Sequence, residues 1–148
     1  MYKRQDQKSL GSCASYATTY YQYTYEVNKL NHVNSESDRV IYSPKWTYNF
    51  ANNGYNSGTT LTNNYKVLMS LGCLKNNDFP YTGNSSNYIE WASGLEDEKI
   101  EALQTRITKI NKYEIPVNSN ISSPSSTALQ GLKNILNEGK IVVTSTRC

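Results

Sequence analysis

"QDQKSLGSCASYATTYY", residues 5–21, sets a lone Cys behind a Gly-Ser turn at the mouth of a helical pattern. From Cys13 to Leu30, the residues Tyr16, Ala17, Tyr20, Tyr21, Val27 and Leu30 recur near one side at helical spacing. The stretch therefore reads as one long helix burying an aromatic-rich face, opened by Ser12 or Gly11. A thiol attacks as its thiolate, which is favoured at a helix N-terminus or beside a cationic His. The sequence supplies the first condition. Six residues earlier stands Gln7, whose side-chain amide and the Cys13 backbone N–H make a donor pair of the kind that holds an oxyanion. Gly11 and the small Ser12 permit a sharp entry into the helix, with the sulfur facing outward.

Outward from this stretch the same helical grammar recurs. "YSPKWTYNFANNG", 42–54, offers Ser43 as N-cap, Pro44 at the first helical position and Gly54 past the end. "GTTLTNNYKVLMSLG", 58–72, offers Thr60 or Thr62 as cap, with Leu61, Tyr65, Leu68 and Met69 inward and Gly72 as the stop. "NNDFPYTGNSSN", 76–87, is a turn-rich loop in which Asp78 to Tyr81 read as a packed turn. "GLEDEKIEALQTR", 94–106, loads Glu96, Asp97 and Glu98 into a first helical turn, where carboxylates suit the helix dipole. Near Thr105 the pattern changes. "ITKINKYEI", 107–115, and "KIVVTST", 140–146, are short β-branched segments that predict strands. Between them "VNSNISSPSS" reads as a surface loop, and "STALQGLKNILNEG", 126–139, as an amphipathic helix with Leu129, Leu132, Ile135 and Leu136 inward. The expected fold class is α+β, with a helical unit over 1–105 and the start of a strand-rich one over 106–148.

Bulk properties remove several function classes. The 148 residues are 37% hydrophobic and 18% charged, with 13 Tyr, a composition that folds. The net charge of +3 is spread thinly, with no basic run to track a phosphate backbone, so no nucleic-acid partner is expected. Three Cys without a C-x-x-C pair and a single His make no metal set, and neither metal nor cofactor is expected. No run of 18 apolar residues exists, so no membrane span is expected, and the first ten residues lack a signal-peptide apolar region.

"DQKSLGSCASYA" resembles the nucleophile segment of papain-like cysteine peptidases, especially bacterial-type members. "YSPKWTYNFANNG" resembles that family's second helix. "SGTTLTNNYKVLMSLGCLKNNDFPYTG" resembles its Gly-led groove loop, third helix and Pro-Tyr loop, and "STALQGLKNILNEGKIVVTST" the helix and strand that begin its second lobe. The blocks follow in order along most of the chain. The resemblance implies a two-lobe papain-like fold: a helical first lobe and the beginning of a β-rich second lobe. It makes Cys13 the nucleophile and Gln7 the side-chain oxyanion donor. Gly58, with Thr59 beside it, matches the groove Gly whose backbone pairs with an extended peptide, and Thr144 falls where the second lobe lines a substrate pocket. The resemblance implies a peptide or protein substrate as partner and favours a secreted or extracytoplasmic location.

The departures are specific. Against the plant and lysosomal pattern C-G-[SA]-C-[WY], residues 10–14 read Leu, Gly, Ser, Cys, Ala. The first Cys, a disulfide partner in the family, is absent, and so is the aromatic. The family's His and Asn follow its Cys by about 130–150 residues, and no His follows His32, which reads as a surface residue just after the first helix. The chain is expected to be a fragment whose His and Asn lie downstream, and to be inactive alone. Two other functions stand beside cysteine peptidase: a non-catalytic relative that binds peptides, and an aromatic-rich adhesion or glycan-binding module, which leaves the Gln7-to-Cys13 spacing unexplained.

Overall fold

The computed structural model describes residues 6–82, 96–111 and 126–145. Its first helix, α1, covers residues 13–30 in three parts: an α-helical turn Cys13–Ser15, a π-helical stretch Tyr16–Tyr23 and an α-helical end Thr24–Leu30. A π-helical N–H reaches back five residues instead of four, as Thr24 N–H does to Thr19 O. Every such bond adds a residue to the turn and rotates the later part of the helix. Tyr16, Tyr20, Tyr23, Thr24 and Asn28 are accordingly buried. Ala17, Tyr21 and Val27 are half-buried. Leu30, expected inward at regular α-helical spacing, is 77% exposed.

Helix α2, Pro44–Asn52, begins where the sequence predicts. The Ser43 side chain accepts from Trp46 N–H and Pro44 opens the first turn. The chain leaves it through two left-handed residues, Asn53 and Gly54. Helix α3, Leu61–Ser70, is capped by Thr60, whose hydroxyl accepts from Asn63 N–H at 3.1 Å. It buries Asn64, Val67 and Leu68, while Met69 faces out. Gly72 ends it with φ +72°, and a Cβ there would stand 1.8 Å from Ala102 O, so only Gly lets helix α4, Glu96–Leu103, approach this closely. Thr105 closes the junction: its hydroxyl donates at 2.8 Å to Ala102 O or Cys73 O and accepts from Cys73 N–H at the same distance.

The chain divides into two compact units, Met1–Lys109 and Ile110–Cys148. The first holds a core of Tyr23, Tyr42, Trp46, Val67, Leu68, Cys73, Leu74 and Ala102. Many of the hydroxyls and amides buried beside it are paired, which offsets the cost of their desolvation. Ser15 Oγ donates to Asn64 Oδ1 at 2.5 Å, and the Thr19 and Thr47 hydroxyls meet at 2.7 Å. Asn28 Nδ2 donates to Thr24 O and Val40 O, and its Oδ1 accepts from Val40 N–H. A Ser-, Thr- and Asn-rich sequence thus builds an interior from local polar pairs as well as apolar contact.

The expected α+β class, with a β-rich second lobe, is overturned: the described residues form helices and no strand. An isolated antiparallel bridge, Tyr42 to Lys75, stands in place of a ladder. Of 107–115, the described part runs without regular structure, and Ile107 N–H goes to Leu68 O at 3.2 Å while its side chain packs on the helical core. Residues 141–145 find no neighbouring strand among the described residues. β-branched composition favours extension, but a strand is stable only with partners to complete its hydrogen bonds. In the second unit helix α5, Ser126–Asn137, forms as predicted but buries no residue, leaving Leu129 and Leu136 exposed. The loops expected over 83–87 and 117–125 lie outside the described residues. No helix among the described residues is long and apolar enough to cross a membrane.

Candidate active site

Cys13 is the first helical residue of α1 and is exposed. By position its backbone N–H belongs to the first turn, whose donors find no acceptor inside the helix. Ser12 stands at the N-cap without using its side chain as a cap. Its carbonyl accepts from Tyr16 N–H at 3.0 Å and its own N–H bonds Leu10 O at 2.8 Å. The turn predicted at Gly11-Ser12 is therefore closed by the backbone.

Gln7 reaches into this turn from upstream. Its Nε2 donates to Cys13 Sγ at 3.0 Å and to Leu10 O at 3.3 Å. An amide nitrogen has two protons, so one anchors on the carbonyl and the other points at the sulfur. Beyond the helix end lies the second predicted wall. A Cβ on Gly11 would meet Gly58 N at 3.3 Å and Gly58 Cα at 3.4 Å, so the 56–59 loop packs directly on the turn that carries Cys13. Tyr48 OH and Gly11 N–H both reach Asn56 Oδ1, at 2.7 and 3.5 Å. Gly58 itself is exposed, with open space where a side chain would project. Thr59 is half-buried, and its hydroxyl has no partner among the described residues. Thr144 lies in the second unit, exposed, on the segment after α5.

Along the flank of α1 runs a cleft of ≈ 370 Å³ lined by Asp6, Gln7, Cys13, Tyr16, Ala17 and Tyr21. This volume is in the range of small-ligand sites. Asp6 is held as a carboxylate below its usual range, first by the Lys8 backbone N–H and then by the Lys8 side chain, whose Nζ lies 3.0 Å away. The Tyr16 phenol is buried and pushed well above its ordinary value by that burial. Cys73, by contrast, is fully buried, and burial pushes its thiol far up. His32 is exposed, just past the C-terminal end of α1. Among the described residues no three His, Cys, Asp or Glu side chains gather to hold a metal ion.

One contributor escaped sequence reasoning. Tyr81, read as part of a packed turn, donates its hydroxyl to Gln7 O at 2.6 Å and stands 2.7 Å from Ser12 Oγ. Both partners lie some seventy residues upstream, so no local spacing signals the contact. No protein-family model matches this chain, and neither a curated protein nor a solved structure matches it.

Proposed function

We propose that this chain carries the nucleophile centre of a cysteine peptidase. The observation that supports this most is the Gln7 Nε2 to Cys13 Sγ contact at 3.0 Å, in the first turn of a helix and beside an open groove loop at Gly58. In the proposed reaction the Cys13 thiolate attacks a peptide carbonyl and a C–S bond forms. The carbonyl oxygen becomes an oxyanion, accepting from the Gln7 amide proton that now faces sulfur and from the Cys13 N–H. Collapse breaks the C–N bond: the amine leaves with a proton from a general acid, and the acyl group stays on sulfur as a thioester that water then hydrolyses, restoring the thiol. That acid is not His32, which follows a helix whose axis extends about 25 Å beyond Cys13. Gly58, exposed with open space where a side chain would project, supports equally a second reading, in which the same groove binds peptides without cleaving them.

A peptidyl chloromethyl ketone, which needs no leaving-amine protonation, tests the nucleophile directly. Labelling of Cys13 is expected to saturate with reagent concentration, to be slowed by a competing peptide, and to vanish in Cys13→Ala. Labelling no more selective than that by iodoacetamide overturns both readings. Where a fluorogenic peptide is turned over, Gln7→Ala should lower kcat about 10²–10³-fold with little change in KM, the usual cost of one oxyanion donor. Saturable labelling without any turnover supports the peptide groove that both readings share.

A further inference from the structure

The Tyr81 hydroxyl joins two points of the turn that precedes Cys13. Its single proton goes to Gln7 O, a carbonyl that can only accept, at 2.6 Å. The Ser12 hydroxyl, 2.7 Å away, is therefore the donor to Tyr81 oxygen. The result is a directed chain: Ser12 Oγ–H to Tyr81 O–H to Gln7 C=O. It grips the residue that supplies the amide to sulfur and the residue immediately before the nucleophile. Ser12 is fully buried and Tyr81 half-buried. The Tyr81 ring also meets Tyr16 edge-on, with centroids 4.9 Å apart, one helical turn past Cys13. Burial raises the Tyr81 phenol above its ordinary value, so it remains a donor at neutral and mildly alkaline pH.

We propose that Tyr81 is a positioning residue for the Gln7–Cys13 pair: its hydroxyl fixes the Gln7 backbone so that the side-chain amide stays on the sulfur. The inference rests on the cysteine-nucleophile reading only for its catalytic consequence. Gln7 has a long side chain with several rotatable bonds, and ordering such a chain has an entropic cost. Anchoring the backbone at Gln7 O and the amide at Leu10 O leaves it little else to explore. Tyr81 thereby makes the loop over 76–82 part of the site without touching sulfur or substrate.

The test uses Tyr81→Phe, which keeps the ring and its contact with Tyr16, together with Gln7→Ala and the double variant. Two quantities are read: the rate of Cys13 alkylation by iodoacetamide at neutral pH, located by peptide mapping, and the side-chain amide NMR signals of Gln7. The Gln7 amide proton orients the sulfur at the helix end, so Gln7→Ala should slow alkylation by about 2–10-fold, the kinetic equivalent of one net hydrogen bond. Tyr81→Phe should slow it similarly and move the Gln7 amide signals toward those of a free glutamine. The double variant should be no slower than Gln7→Ala alone, because the two changes remove one interaction. Unchanged Gln7 signals in a folded Tyr81→Phe protein, or effects that simply multiply, overturn the inference. The peptidase reading fails separately, by lack of saturable peptidyl labelling in the wild-type protein, and leaves this cycle still decisive for Tyr81.

Discussion

Cys13 and Cys73 carry the same thiol into opposite environments. Cys13 is exposed with the Gln7 amide against it, whereas Cys73 is fully buried and directs its S–H toward Ser43 O and Leu74 O at 3.4 and 3.3 Å. Burial without a cationic neighbour disfavours the thiolate, the reactive form. A maleimide titration of the native protein, with Cys148 replaced by Ser, should therefore modify Cys13 rapidly and leave Cys73 silent until denaturant is added. Equal labelling of both thiols before unfolding would contradict the described core. At this scale the sequence is informative where contacts are local. Gln7 and Cys13 are six residues apart around a Gly-Ser turn, and that spacing alone brings them within reach. Tyr81 meets the same turn across sequence separations of 69 and 74 residues, and only the fold reveals it.

At the scale of elements, caps are legible and phase is not. Ser43-Pro44, Thr60 and Gly72 each mark a helix end because their chemistry acts on the nearest turn: a hydroxyl acceptor, a fixed φ, a tolerated left-handed residue. The π-helical stretch in α1 leaves no such mark, and it turns Leu30 outward and Asn28 inward. Strands fail over the described residues 107–111 and 140–145 for a related reason: the composition is that of strands, but pairing is non-local and the described residues provide no partner. The junction at Gly72 gives a measurable contrast. Gly72→Ala incurs the left-handed penalty and drives a methyl into Ala102 O, so it should cost more than about 2 kcal/mol. Ser43→Ala removes one cap and should cost about 1 kcal/mol. Urea unfolding of both variants checks this, and a Gly72→Ala protein as stable as the wild type would refute the close approach of α4.

At the scale of the whole molecule, the first unit is stabilised by phenols that are buried but not ionised. Tyr16, Tyr23, Tyr42, Tyr65 and Tyr81 are all pushed above the ordinary phenol value, in every case chiefly by burial, and Tyr65 reaches about 12. Tyr23 donates to Thr105 O, tying α1 to the residues after α4, and Tyr65 donates to Gln22 Oε1, tying α3 to α1. In the unfolded chain these phenols lose their protons near pH 10. Between that pH and the folded values the unfolded state binds fewer protons than the native one, so stability falls as pH rises. Below about pH 10 the contribution is fully present. The urea midpoint should thus be nearly level from neutral to mildly alkaline pH and then drop steeply between about pH 10 and 12, with tyrosinate absorbance appearing together with unfolding. Tyr65→Phe removes one of the linked protons and should make that drop shallower, whatever it does to stability at pH 7. A midpoint that stays level through the alkaline range, or tyrosinate that forms fully while the protein remains folded, would show that these hydroxyls are open to water and that the aromatic face of α1 is not the interior of this unit.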